Sequence, residues 1–192
     1  TGIPNSGNIN VSLIYNTAQD DPESTGNGAG FNLVSNPYTA AISYSNLMGG
    51  NTAIDGTLYF WDDGGSRNGA RSNSDYITVT SMAAVGGGFA RSADWDGNIR
   101  SAQGFFVKAN STGTLNFTPT MMVSGNNTDA GFFREAKPTI VRVALSNNEL
   151  VSDIVIGFTE DATLGFDRMF DGYKIKGNND LELYSRLDNR RL

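Results

Sequence analysis

The stretch Gly30-Phe31-Asn32-Leu33-Val34-Ser35-Asn36-Pro37-Tyr38 narrows the range of folds more than any other in the chain. Phe31, Leu33 and Ser35 alternate with Asn32 and Val34, the period of two that a β-strand imposes on its side chains. Asn36-Pro37 ends the run, because proline has no amide hydrogen for a ladder and biases the residue before it toward extended backbone. A second strand of this kind is Gln103-Gly104-Phe105-Phe106-Val107-Lys108. Its adjacent phenylalanines must point to opposite faces. One ring is therefore core, and the other covers a second layer or forms an exposed patch.

Most of the remaining chain repeats the pattern, with short apolar runs between Gly, Asn, Asp and Ser turns. Ile9 to Tyr15, Gly56 to Trp61, Tyr76 to Thr80, Thr139 to Leu145 and Ser152 to Phe158 all read as strands. Thr114 to Thr118 is expected to pair with the Phe105-Phe106 strand as a hairpin across Asn110-Ser111-Thr112-Gly113. Ala40 to Leu47 fits either a short strand or one helical turn, ended by Gly49-Gly50. Asp167 to Asp171 reads as a helical turn that buries Phe166 and Phe170 and shows its acids to water. Tyr173-Lys174-Ile175 and Leu181 to Tyr184 are expected to close the chain as strands. No stretch sustains a helical period, so the expected class is all-β, an antiparallel, jelly-roll-like β-sandwich over residues 1–136. The pattern restarts after Ala136-Lys137-Pro138. Residues 137–192 then form either a second, incomplete β module or the closing strands of the first.

Two absences decide which chemistries remain. The 192 residues include no histidine and no cysteine. That removes Ser-His-Asp and Cys-His catalysis, histidine-based metal sites, thiol redox chemistry and disulfides. Hydrolysis by paired carboxylates needs no particular motif, but the chain has five glutamates, all in segments that read as loops or strand edges. The expectation is a protein that is not an enzyme. Gly86-Gly87-Gly88 is no phosphate loop, since no lysine and no helix follow it. A net charge of −6 argues against a nucleic-acid partner, which calls for a basic stripe. No apolar run approaches the roughly 20 residues of a membrane span, so no membrane insertion is expected. The chain starts at Thr1 without a charged-then-apolar leader, which places any secretion signal upstream or among residues already removed.

The residues best suited to hold a ligand lie in Asp94-Trp95-Asp96-Gly97-Asn98. Asp94, Asp96 and Asn98 place oxygen side chains at alternate positions, the spacing with which calcium loops begin. The remainder of an EF-hand fails, with Ile99 at the sixth position and Phe105 at the twelfth. A calcium staple of another kind and a plain polar turn are the two alternatives for a metal. For a sugar, Trp95 with Asp94, Asp96, Asn98 and Tyr76 would supply a stacking ring and hydroxyl partners. Trp61 closes a strand whose alternate residues look buried and is expected in the core, whereas Trp95 suits core and ligand contact equally. The acidic groups Asp20-Asp21-Glu23 and Asp62-Asp63 read as solvated turns.

Taken together, several stretches resemble the β-rich region that precedes the C-terminal sorting domain in large secreted proteins of Bacteroidota, cargo of the type IX secretion route. They are Gly30 to Tyr38, Ile54-Asp55-Gly56-Thr57-Leu58-Tyr59-Phe60-Trp61, Ser101 to Lys108, Phe132-Phe133-Arg134, and Phe166-Asp167-Arg168-Met169-Phe170-Asp171-Gly172-Tyr173-Lys174. Their order and spacing agree over residues 1–185 or so. Ser72 to Arg100 is longer than the family pattern, and the strands and sorting domain expected after such a region are not in this sequence. The resemblance implies an extracellular or cell-surface location and transfers no enzymatic residue. It implies a non-catalytic module for display, spacing or adhesion, in contact with other domains of its parent protein. The alternative is a carbohydrate-binding module for a polysaccharide or cell-surface glycan, with calcium or without it.

Overall fold

A computed structural model describes residues 2–15, 30–61, 76–86, 95–124, 139–147, 151–175, 181–188 and 190–192. Its elements in chain order are β1 (Ile9–Leu13), β2 (Phe31–Ser35), β3 (Ala41–Ser43), α1 (Tyr44–Gly49), β4 (Ile54–Trp61), β5 (Tyr76–Val79), β6 (Ala84–Val85) and β7 (Asn98–Ile99). They continue with β8 (Gly104–Ala109), β9 (Gly113–Phe117), β10 (Met122–Val123), β11 (Thr139–Ser146), β12 (Val151–Phe158), β13 (Arg186–Leu187) and β14 (Arg190–Arg191). The all-β class and the antiparallel sandwich are as expected. The boundary expected at residues 136–137 and the Phe132-Phe133-Arg134 motif lie outside the described residues.

One layer is a five-stranded sheet ordered β2-β8-β4-β5-β6. Its inner face carries Val34, Leu58, Phe60, Val79, Phe105 and Val107, all buried. The opposing layer consists of the β1-β9 pair and a three-stranded sheet ordered β10-β3-β7. It contributes Leu13, Ile42, Ile99, Leu115 and Phe117 to the same core, joined by Leu47 and Met48 of α1. The two phenylalanines of β8 divide as alternation demands, with Phe105 buried and Phe106 on the outer face. The ambiguous stretch at Ala40 to Leu47 is both strand and helix. β3 runs into α1 at Ser43, whose hydroxyl accepts the Asn46 amide as a helix cap.

The hairpin expected between β8 and β9 does not form. β9 crosses to the other layer and pairs with β1, Phe117 opposite Ile9 and Leu115 opposite Val11. The reason is burial, since this pairing puts Leu115 and Phe117 into the core between the layers.

Residues 166–173 lie across the outer face of the five-stranded sheet. The β4-β8 register shifts between Ile54 and Leu58, and this irregularity frees the Gly56 amide to donate to the Arg168 carbonyl at 2.9 Å. Tyr59 Oη donates to the Tyr173 carbonyl at 3.1 Å, and the Ser81 amide and hydroxyl both donate to the Met169 carbonyl. The Arg168 guanidinium donates to the carbonyls of Ile54 (2.7 Å), Met48 (3.3 Å) and Asn51. The turn expected at Asp167 to Asp171 is present, with the Asp167 carbonyl accepting from the Phe170 and Asp171 amides. Its acids are not simply displayed to water. Asp167 accepts from the Thr163 amide and hydroxyl, and Asp171 accepts from the Asp167 amide.

β11 and β12 form a two-stranded sheet. On one face Arg142 pairs with Asp153 at 2.7 Å and donates to the Ala84 carbonyl of β6 at 2.8 Å. The other face exposes Val141, Val143, Leu145, Ile156 and Phe158. The strands expected at Tyr173 to Ile175 and Leu181 to Tyr184 are not ladder-paired. The closing pair is instead β13-β14, continued by mutual hydrogen bonds between Ser185 and Leu192.

Candidate functional site

The described part of the acidic loop is a closed turn. Gly97 adopts a left-handed φ of 80°, which brings its carbonyl to the Tyr44 amide at 2.9 Å. Asp96 Oδ1 accepts the Asn98 amide at 3.0 Å, and Oδ2 lies 3.2 Å from the Arg100 guanidinium. The buried Asn98 side chain donates back to the Asp96 carbonyl at 3.2 Å. Asp94 lies outside the described residues. Among the described residues, no three His, Cys, Asp or Glu side chains gather where a metal ion would fit.

Trp95 is half-buried and packs on the core side of the sheet, 5.5 Å from the Phe60 ring and 6.3 Å, edge-on, from Tyr44. Trp95→Ala is therefore expected to lower unfolding free energy by about 2 kcal/mol, below the loss for a fully buried tryptophan. Urea denaturation measures it, and an unchanged midpoint would mean that the ring does not pack there.

Trp61 behaves in the opposite way from the sequence expectation. It is 55% exposed. Consecutive strand residues face opposite sides, so with Phe60 in the core Trp61 points outward, and residues 166–173 cover this outer face only as far as Tyr59. Tyr76 stands directly across the ladder from Trp61, their rings 5.0 Å apart and nearly perpendicular. Phe106 lies 6.2 Å from Tyr76, and Leu33, 68% exposed, pairs with Phe106. Tyr76 thus shares an outer-face strip with Trp61, while Trp95 sits on the inner side. The signal for Trp61 was its place at the end of a strand, before the turn residues Asp62-Asp63-Gly64-Gly65.

Beside Tyr76 opens a cavity of about 510 Å³ between β5, β6, β12 and residues 159–175, lined among others by Thr78, Thr80, Asp153, Tyr173 and Lys174. Lys174 donates to the Asp153 carbonyl at 3.1 Å. Burial pulls its ammonium pKa down, while Asp153 and Glu182 oppose that pull.

Asp55 is a buried carboxyl at the β4 irregularity. Burial pushes its pKa above the ordinary 3.8, against the opposing pull of Lys108, Arg168 and Arg190 and a hydrogen bond from Asn110. The folded state therefore holds this proton more tightly than the unfolded state. Its stabilising contribution is full below the unfolded value and is lost as pH rises through the folded one. Asp55→Asn is expected to remove that loss, so its stability relative to the native chain should grow from pH 4 to pH 7. Urea titrations at both pH values test this, and parallel pH profiles would contradict it.

The family model described as a domain of unknown function (DUF8693) matches residues 1–192. No curated protein and no solved structure matches the chain.

Proposed function

The chain belongs to this DUF8693 family of unknown function, and we propose that it is a non-catalytic β-sandwich module of a large secreted cell-surface protein, serving display, spacing or adhesion. The observation that carries this reading is the Arg168 strap. A spacer must transmit position, and here three backbone carbonyls between α1 and the start of β4 are gripped by one guanidinium from a segment more than a hundred residues later. The open apolar face of the β11-β12 sheet adds support, since such a face suits packing against a neighbouring domain of the parent protein. The Asp96 loop is in this reading a structural turn, its carboxylate already engaged by Asn98 and Arg100.

The test is replacement of residues 1–192 by a flexible Gly/Ser linker within the parent protein, displayed on its own cells. Surface labelling and adhesion by the neighbouring domains should fall while export continues. Unchanged labelling and adhesion would overturn the reading. Thermal unfolding of the purified chain should coincide with calcium and with chelator, and a marked calcium-dependent rise would restore a metal to the Asp94-Asp96-Asn98 loop.

A further inference from the structure

We propose that the outer face of the five-stranded sheet carries a saccharide-binding strip formed by Leu33, Phe106, Trp61 and Tyr76, leading into the adjoining cavity. This goes beyond the spacer reading and stands independently of it. The four side chains sit on β2, β8, β4 and β5, neighbouring strands of one sheet. Three strand spacings of about 4.8 Å give the strip a length of roughly 14 Å. Two of its members, Trp61 and Leu33, are mostly exposed at 55% and 68%. An exposed run of aromatic and aliphatic groups on a face otherwise covered by residues 166–173 marks a contact surface.

The chemistry of the strip selects its ligand. A pyranose presents an apolar C–H face, which matches an indole or phenol ring, and a rim of hydroxyls, which needs polar partners close by. Thr78 follows Tyr76 on the same face of β5, and Thr78 and Thr80, the latter just past the strand, line the cavity, whose volume of about 510 Å³ falls within the range of small-molecule sites. The chain's net charge of −6 opposes glycans bearing carboxylates or sulfates. The ligand is therefore a neutral saccharide. The ring pairs stand at 80° and 70°, so the strip is stepped rather than flat. It suits a single twisted chain and not the planar face of a crystalline polymer.

The experiment uses the intact chain in native gels containing mixed-linkage β-glucan, arabinoxylan, galactomannan or dextran, with alginate and microcrystalline cellulose as controls. At least one neutral soluble polysaccharide should retard it, and the controls should not bind it. Trp61→Ala and Tyr76→Ala should each weaken that binding at least about tenfold, the loss typical of an aromatic anchor. In Trp95→Phe, Trp61 is the sole tryptophan, and the same polysaccharide should shift its emission to the blue. Leu33→Ser, at an exposed position, gives a weakened binder whose fold is not in question. Retardation by none of the neutral polysaccharides, or equal retardation of native chain and Trp61→Ala, would overturn the proposal. So would binding confined to alginate or crystalline cellulose.

Discussion

Arg168→Ala is expected to lower the unfolding free energy by about 4 kcal/mol and to release residues 166–173 from the sheet. Three charge-assisted hydrogen bonds end on the carbonyls of Ile54, Met48 and Asn51. Each such bond contributes roughly 1.5–3 kcal/mol, and a buried carbonyl left without a donor adds its own desolvation cost. Asn51 and Ile54 are buried, so water cannot easily replace the lost donors. Denaturation in urea measures the loss, and amide exchange at Gly56 and Ser81, which donate to the same segment, locates it. Gly56→Ala is the companion test, because its added methyl would run into the Arg168 carbonyl oxygen and the Met169 Cα. It should speed exchange at Ser81 while leaving the guanidinium intact. A loss below about 1 kcal/mol in Arg168→Ala would show that the strap contributes little.

Asn36→Ala is expected to cost about 3 kcal/mol for a related reason. Asn36 is 2% exposed. Its amide nitrogen donates to the carbonyls of Ala40 (2.9 Å), Ile99 (3.1 Å) and Arg100 (3.0 Å), and its oxygen accepts the Tyr38 amide at 3.0 Å. One side chain thus ties the end of β2 to β7, on the other layer. Alanine removes both roles and leaves buried backbone groups unpaired. Asn36→Asp should be worse than alanine, because it keeps the size but points a second acceptor at carbonyls that need a donor. Thermal unfolding of the two variants orders them, and an aspartate variant as stable as the native chain would contradict this assignment.

The strands were legible because alternation needs only neighbouring residues. Phe31 to Ser35 and the Phe105-Phe106 pair show their faces in the sequence itself. The partner of β9 was not, because adjacency favours a hairpin with β8, while core burial of Leu115 and Phe117 requires β1. Asn36 read as a turn residue before proline, and its long-range bonds to Ile99 and Arg100 leave no local trace. Arg168 is hidden for the same reason, its acceptors lying 114 to 120 residues away. Of the outer-face strip, Tyr76 was expected beside Trp95, from which the sheet separates it, and Trp61 was expected in the core. A strand shows which residues share a face, but not how far a distant segment covers that face.

The most direct test of a rigid spacer is whether the β11-β12 sheet moves with the five-stranded sheet as one body. Residual dipolar couplings from amides of β4 and β8 and from those of β11 and β12 should fit a single alignment tensor. The Arg142 bond to Ala84, the Lys174 bond to Asp153 and the strap at Arg168 together require it. Two distinct tensors, or a much smaller one for β11 and β12, would mean that the two sheets tumble separately and that the chain is a flexible tether instead of a rigid spacer.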